Sequence, residues 1–316
     1  MTAVSERSSS RRLYRLIAAS ALLAAAGCGD GSTTPSAPPL FETVVVFGAS
    51  LDDTGNACNV LPTACPPFPY ANARYSNGPL WVEQVAEKLN ARVAPARGGG
   101  TNYAFAGART GAITGTTQGA PNMVQQVDTY LELGSKSNRD VALFVVNAAT
   151  VGNDIVDGVT LARTNPQAPA QILTGAVSNI ASIIGKLYAG GARHVLVLNA
   201  PDIGRTPLVS TQGAVASATA SGASAQFNTA LAAQLTAIRT ASPGLTVYTV
   251  DLGALNAQVV ANPSAFGFTN VSAPCVVTAP PSLCNTPGTF FYWDAFHPTE
   301  AAGKLVAQRV LTALGR

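Results

Sequence analysis

The sequence predicts an α/β fold: a three-layer α/β/α domain over residues 43–316, built around a five-stranded, mainly parallel sheet. Three observations carry that expectation. Short β-branched runs alternate with longer segments of helical periodicity, which is the pattern of a parallel sheet with helices on both faces. The short runs are continuously apolar, as strands buried on both faces are. A chain of 316 residues that is 47% apolar can also bury one large core.

Taken in order, the first segment is residues 1–28. Arg7, Arg11, Arg12 and Arg15 precede "LIAASALLAAAGC", the layout of a secretory signal. The apolar part falls short of the roughly 20 residues that span a bilayer. "AAGC" also resembles a bacterial lipoprotein signal, with Cys28 as the residue to be lipidated and Ala25 where leucine is usual. The chain is therefore expected to be exported and to be periplasmic, anchored to the outer membrane through Cys28, or extracellular. Residues 29–42, "GDGSTTPSAPPLFE", have the composition of a flexible tether.

The candidate strands are "TVVVFG" (43–48), "ARVAP" (91–95), "VALFVVN" (141–147), "HVLVLNA" (194–200) and "LTVYTV" (245–250). Between them lie "PLWVEQVAEKLN", "PNMVQQVDTYLELG", "QILTGAVSNIASIIGKLYAGG" and an Ala-rich segment from 213 to 241. In the third of these, Ile172, Val177, Ile180, Ile184 and Leu187 keep to one face of a 3.6-residue period until Gly190 and Gly191 end it. A last helix, "TEAAGKLVAQRVLTAL", opens at Thr299.

Charge excludes one class of partner. The net charge of +3 comes from the arginines of the first segment, and beyond it acidic and basic side chains balance. No basic run interleaved with aromatics is present elsewhere, so nucleic-acid binding has no electrostatic basis. Five cysteines leave four once Cys28 is set aside: Cys58 and Cys65 lie close together, as do Cys275 and Cys284. In an oxidising compartment each close pair would staple a Pro-rich loop, although three connectivities are formally open. Zinc is the weaker alternative, since there are two histidines and no C-x-x-C spacing. No phosphate-binding G-x-x-x-x-G-K-[ST] is present, and residues 98–107 do not satisfy G-x-G-x-x-G, so neither a cofactor nor a metal is expected.

Active sites of such sheets gather beyond the carboxyl ends of the strands. Ser50 in "VVVFGASLDDTGN" stands there, directly after the first strand. The same tripeptide recurs at Gly222-Ala223-Ser224 inside an Ala-rich helical stretch, so only partners can distinguish a nucleophile from a loop serine. A serine needs a base, and the base needs a group that fixes its tautomer. His194 opens a buried strand and is read as structural. His297 lies in "FYWDAFHPTE" with Asp294 three residues before it, a spacing that brings the carboxylate to Nδ1 and leaves Nε2 for a serine. The nucleophile elbow of α/β-hydrolases, G-x-S-x-G, is excluded because Asp52 holds the place of its second glycine. Two further loops offer oxyanion donors: "GGGTNYAFAGART" (98–110), with Gly107, and "NAATVGNDI" (147–155), with Asn153 beside Gly152.

The ordered set FGASLDDTGN, GGTNYAFAGAR, GND and DxxHPT resembles the GDSL or SGNH hydrolases, in particular the bacterial secreted lipase and esterase branch whose first block reads G-D-S-L-S-D-T-G-N. The resemblance runs from about residue 43 to the end. It implies a flavodoxin-like fold and a serine esterase or lipase acting on small-molecule or lipid esters, as a monomer. It further implies Ser50 as nucleophile, His297 as base and then acid, Asp294 as its orienter, and an oxyanion hole of the Ser50 and Gly107 amides with the Asn153 side chain. Asp53, Thr54, Gly55 and Asn56 match the first block and are expected to hold the elbow. Ala49 departs from the pattern, replacing an aspartate outside the triad, and so does Asn147, where an apolar or aromatic residue is usual. Acyl transfer to an alcohol and carbohydrate O-deacetylation are alternatives at the same site. A binding lipoprotein on a decayed scaffold is the alternative outside enzymes, supported by Ala49 alone. Phe68, Tyr70, Phe266, Phe268, Phe290 and Trp293 are expected either to line an acyl pocket or to pack in core and loops.

Overall fold

The computed structural model describes residues 41–116 and 119–316. Residues 1–28, expected to be a signal, with Cys28, and residues 29–40 of the expected tether lie outside the described residues. Four of the expected strands form: β1 (Val44–Phe47), β2 (Leu143–Asn147), β3 (His194–Leu198) and β4 (Thr246–Val250). They pair in the order β1-β2-β3-β4, all parallel. The helices are α1 (Asn56–Val60), α2 (Trp81–Lys88), α3 (Met123–Leu133), α4 (Val151–Leu161), α5 (Ala168–Ala189), α6 (Pro207–Ser210), α7 (Ala214–Ala241), α8 (Leu252–Ala261) and α9 (Glu300–Ala313). Short strands β5 (Asn270–Pro274), β6 (Val276–Thr278), β7 (Pro281–Leu283) and β8 (Phe290–Tyr292) sit before α9.

The expected fifth strand, residues 91–95, does not form. The edge beside β1 is taken instead by residues 101–105: Val46 N donates to Thr101 O (3.1 Å), Tyr103 N to Val46 O (2.8 Å) and Phe105 N to Gly48 O (3.2 Å). Residues 91–95 only meet this segment from outside, through Asn102 N to Ala94 O at 2.9 Å. The reason is burial and donors. Residues 91–95 are exposed or half-buried, and Pro95 has no N–H to give a ladder, whereas Asn102 and Ala104 are fully buried beside β1.

Continuous apolarity in the strands is explained by two cores. Val45, Phe47, Phe144, Val146, Val195 and Val197 point to one face, under α3, α5 and α7. Val44, Val46, Leu143, Val145, Leu196 and Leu198 point to the other, under α2, α8 and α9. Stepping one way across the sheet with right-handed crossovers puts α3, α5 and α7 on one side. The excursion through α2 to the 101–105 edge steps the other way and reaches the opposite face. The direction of winding therefore reverses at β1, and the loop leaving its carboxyl end opens into the resulting crevice. That loop carries Ser50. His194 begins β3 at the opposite end of the sheet, edge-on to Phe41 at 5.2 Å, which agrees with a structural role. By length and composition α5 passes for a membrane span, but Ile180, Ile183, Ile184 and Leu187 are buried in the sheet-facing core.

The cysteines pair as neighbours, Cys58 with Cys65 and Cys275 with Cys284. The second pair closes the β6–β7 hairpin, which is bonded to the strand entering the Asp294–His297 loop: Cys275 N donates to Tyr292 O (3.1 Å) and Val276 N to Trp293 O (2.7 Å). On the far side Thr299 caps α9, its hydroxyl accepting from Ala302 N at 3.2 Å and donating to Phe290 O at 2.7 Å. Both ends of the loop are thus anchored.

Candidate active site

The elbow after β1 is built from its own first block. Asp53 spends its carboxylate on backbone amides, Oδ1 accepting from Gly55 (2.8 Å) and Asn56 (2.6 Å), Oδ2 from Ala57 (3.1 Å) and Ala106 (2.9 Å). Gly55 takes φ 134°, a left-handed-side conformation that costs a residue with a Cβ. The Asn56 amide donates to the carbonyls of Asn102 and Ala104 (2.7 and 2.8 Å), and Asn102 returns bonds to Asp52 O and Thr54 Oγ1 (2.6 and 3.1 Å). These bonds lock the elbow to the 101–106 segment.

Ser50 is nearly buried, and its Oγ lies 2.8 Å from His297 Nε2. His297 Nδ1 lies 2.7 Å from Asp294 Oδ2, and Asp294 Oδ1 accepts from the Phe296 and His297 amides, both at 2.7 Å. Asp294 accepts through both oxygens, so His297 carries its proton on Nδ1 and offers Nε2 as acceptor to the serine. Burial pushes the Asp294 carboxyl up, but the His297 charge and the hydrogen bonds from His297 and Phe296 outweigh it and hold the group at about 2. It is ionised across the pH range in which an imidazole works as a base.

Tyr70 completes this carboxylate and was not singled out for that position. Its hydroxyl donates to Asp294 Oδ2 at 2.8 Å, and burial together with the Asp294 charge keeps the phenol protonated. Its ring packs edge-on to Trp293 at 6.0 Å, and Tyr75 lies 5.1 Å from the His297 ring. Tyr70→Phe removes one charge-assisted bond from Asp294 and leaves the ring packing. We expect kcat to fall about three- to tenfold with KM little changed, less than the roughly 1.5–3 kcal/mol of a full hydrogen bond to a charged group because the Phe296 and His297 amides still hold the carboxylate. Steady-state kinetics that gave an unaltered kcat would rule this out.

Gly107 and Asn153 come together beside the elbow. Gly107 has φ 80° in the 105–108 turn, which Ala106 ties to Asp53 and Phe105 ties to Gly48. Asn153, in the first turn of α4, donates one amide hydrogen to Ala108 O at 2.7 Å, which leaves a second to give. Among the described residues neither the Ser50 nor the Gly107 amide donates to a protein acceptor. At Gly152 a Cβ would fall 2.9 Å from Ile203 Cδ1 and 3.3 Å from the Phe296 ring, so a side chain there would have to displace the Ile203 methyl. Asp154 is turned inward, bonding the Thr110 hydroxyl at 2.7 Å, and burial pushes it up to about 6. The serine of the repeated tripeptide, Ser224, is buried in α7 and bonds Ile203 N and Ala220 O.

Of the two departures from the expected pattern, Asn147 has a partner that accounts for it, Asp52. Asn147 Nδ2 donates to both oxygens of Asp52 (2.8 and 2.9 Å), and Trp81 Nε1 donates to Oδ1 at 2.8 Å. This buried cluster supports the elbow from beneath, and Gly48 makes room for it: a Cβ there would lie 2.1 Å from Asp52 Oδ2. Ala49, the other departure, is buried and contributes its carbonyl to the Asp52 and Asp53 amides, both at 3.0 Å. Gln126 braces the same turn, exchanging bonds with Gly48 N (3.0 Å) and Gly48 O (2.9 Å).

Burial pushes Asp52 up from 3.8 to about 7, against the bonds from Asn147 and Trp81. Unfolded, the group loses its proton near 3.8; folded, it keeps it until about 7. Between these values the native state binds more protons, so its contribution to stability falls as pH rises, by on the order of 4 kcal/mol across the window. Asp52→Asn cannot ionise and carries a constant cost from an amide facing the Asn147 amide. Denaturant midpoints at pH 5 and pH 8 are therefore expected to differ less in Asp52→Asn than in the native sequence, and equal differences would refute the assignment.

Of the six aromatics expected either to line an acyl pocket or to pack, five pack: Phe268 is in the core with Phe266 against it, and Trp293, Tyr70 and Phe290 pack around the Cys275–Cys284 disulfide, while Phe68 is 91% exposed. None lines the apolar cavity next to the site, which is bounded by Leu51, Ile203, Leu255, Phe296 and Pro298 among others.

Comparison with known proteins agrees with the geometry. Residues 44–310 match the family described as GDSL-like Lipase/Acylhydrolase. A GDSL esterase/lipase of Arabidopsis thaliana is 27% identical over 312 residues, covering 86% of this chain and 89% of its own. A phosphatidylcholine-sterol acyltransferase of Aeromonas hydrophila is 27% identical over 286 residues, covering 87% of this chain and 80% of its own. The solved lipase Lip_vut3 from a goat rumen metagenome aligns over 86% of this chain with 12% identity and a TM-score of 0.47, too loose a likeness to add to the argument.

Proposed function

Because the chain belongs to the GDSL-like lipase/acylhydrolase family, we propose that it is a serine esterase that hydrolyses carboxylic esters through an acyl-enzyme on Ser50. The observation that carries the proposal is the continuous relay Ser50 Oγ, His297 Nε2, His297 Nδ1, Asp294 Oδ2, with contacts of 2.8 and 2.7 Å. Ser50 Oγ attacks the ester carbonyl carbon as its proton passes to Nε2. The carbonyl oxygen becomes an oxyanion received by the Ser50 and Gly107 amides and the free Asn153 hydrogen. Collapse breaks the C–O bond to the alcohol, which leaves with the proton from His297. Water then repeats the sequence on the acyl-serine and releases the acid.

A fluorophosphonate probe tests the nucleophile, with labelling expected in the native sequence and absent in Ser50→Ala. Asn153→Ala removes one of three donors and is expected to lower kcat about 10²- to 10³-fold while the probe still labels Ser50. Native-like kcat in this variant would remove Asn153 from the oxyanion hole.

Transfer of the acyl group to an alcohol other than water is the second reading, favoured by the likeness to the Aeromonas acyltransferase. Product analysis with and without added alcohol separates the two. We further propose an exported enzyme with a domain over residues 43–316, released from its signal or held to a membrane through Cys28. The two disulfides support an oxidising compartment.

A further inference from the structure

Tyr75 is held against His297 by fastenings that lie outside the catalytic relay. Its hydroxyl donates to Ala64 O at 2.7 Å, inside the loop that the Cys58–Cys65 disulfide closes. The residue before it is tied to α2, Arg74 Nε donating to Glu83 Oε2 at 2.8 Å. The residue after it is tied to the histidine loop, Ser76 Oγ donating to Pro298 O at 2.9 Å. What Tyr75 presents to His297 is therefore its ring. The ring centroids are 5.1 Å apart with 36° between the planes, within the offset-stacked range, whereas Phe296 meets the same imidazole at 89°. Tyr75 packs into neither of the two cores of the sheet nor the cluster around Cys275. Burial, with the Asp53 and Asp294 charges, pushes its phenol up, so the ring beside the imidazole is neutral and has an electron-rich face.

We propose that Tyr75 is a positioning residue whose ring face stabilises the His297 imidazolium formed during each proton transfer, so that it acts on the transition state and not on substrate binding. The inference rests on the proposed Ser50 esterase. In that mechanism His297 is neutral before attack and becomes cationic once it has taken the Ser50 proton. A cation within about 6 Å of an aromatic centroid is attracted by the ring quadrupole, more strongly where water is excluded. The His297 side chain is only 14% exposed. The neutral imidazole carries no charge for the ring to attract, so the contribution is differential and belongs to kcat. Asp294 acts on the same cation through Nδ1, in the plane of the imidazole, while Tyr75 acts through its face. The two therefore add without competing for an atom.

The test measures kcat and KM for p-nitrophenyl acetate in Tyr75→Leu, in Tyr75→Phe, and in proteins with mono-, tri- and pentafluorophenylalanine introduced at position 75 by stop-codon suppression. Tyr75→Leu is expected to lower kcat about three- to tenfold with KM little changed. Tyr75→Phe is expected to recover most of that loss, because the ring face is retained although the bond to Ala64 is not. Fluorine withdraws electron density from the face with little change of shape, so kcat should fall stepwise along the fluorinated series and reach the leucine level at its end. A kcat that does not change along the series means a ring that only fills space, and overturns the inference. So does a Tyr75→Phe variant that recovers nothing, or a loss carried by KM. Fluorophosphonate labelling of the native sequence separates the two readings: labelling with an unchanging series leaves the esterase standing, whereas absence of labelling and turnover overturns the esterase and this inference together.

Discussion

Replacing Ser50 with alanine is expected to lower kcat on the order of 10⁶-fold, the scale seen when the nucleophile of a serine-histidine-carboxylate relay is removed. No other group in the crevice can substitute. The Ser50 hydroxyl is the one bonded to His297 Nε2, and Thr54, the next hydroxyl in the block, is committed to Asn102 at 3.1 Å. Residual turnover should stay above the uncatalysed rate if the proposed donors, the Gly107 amide and Asn153, polarise the carbonyl as the mechanism requires. The fold should be retained, since Ala49 and Asp53, not Ser50, tie the elbow together. The measurement is kcat for a p-nitrophenyl ester, with circular dichroism as the control for folding. Turnover within tenfold of the native sequence would place the nucleophile elsewhere.

Asp294→Asn is the second large effect, expected near 10⁴-fold in kcat, with substrate binding little altered. The magnitude follows from which atoms face the carboxylate. Oδ1 is fixed by the amides of Phe296 and His297, which an asparagine oxygen can still accept. The amide nitrogen then falls at the position of Oδ2, where it meets His297 Nδ1 and the Tyr70 hydroxyl. An N–H directed at Nδ1 turns it into an acceptor and moves the ring proton to Nε2, which can no longer take the Ser50 proton. Geometry is nearly conserved while the tautomer is wrong, so the loss should appear in kcat and not in KM. A decrease smaller than tenfold would mean that Asp294 does not set the tautomer.

Much of the site is legible in the sequence because its pieces are local. Asp294 and His297 are three residues apart, and Asp53 bonds amides within four residues of itself. The helix that starts at Thr299 and the strands at 44–47, 143–147, 194–198 and 246–250 follow from periodicity and capping. The second strand is misplaced by sequence alone because "ARVAP" has the propensity of a strand, whereas the actual edge, residues 101–105, reads "TNYAF" behind three glycines and pairs only because β1 presents an open edge. Asp52 and Asn147 lie 95 residues apart and Tyr70 and Asp294 lie 224 apart, so their pairing leaves no local trace. Asn147 stands out in the sequence as unusual, and that is the signal it carries; its partner lies too far along the chain to be read from it.

The sequence by itself determined a doubly covered parallel sheet, the elbow after its first strand, and which serine, histidine and carboxylate the structure brings into contact. These depend on short-range spacing, on the period of apolar residues and on motif order. Tertiary structure alone decided which segment covers the β1 edge, that Asp52 is held by Asn147 and Trp81, that Tyr70 braces Asp294, and that the Tyr75 ring lies against His297. Those features are set by residues brought together from distant elements and by the volume left between them. Packing is a property of the assembled surfaces, and no single stretch of the chain contains it.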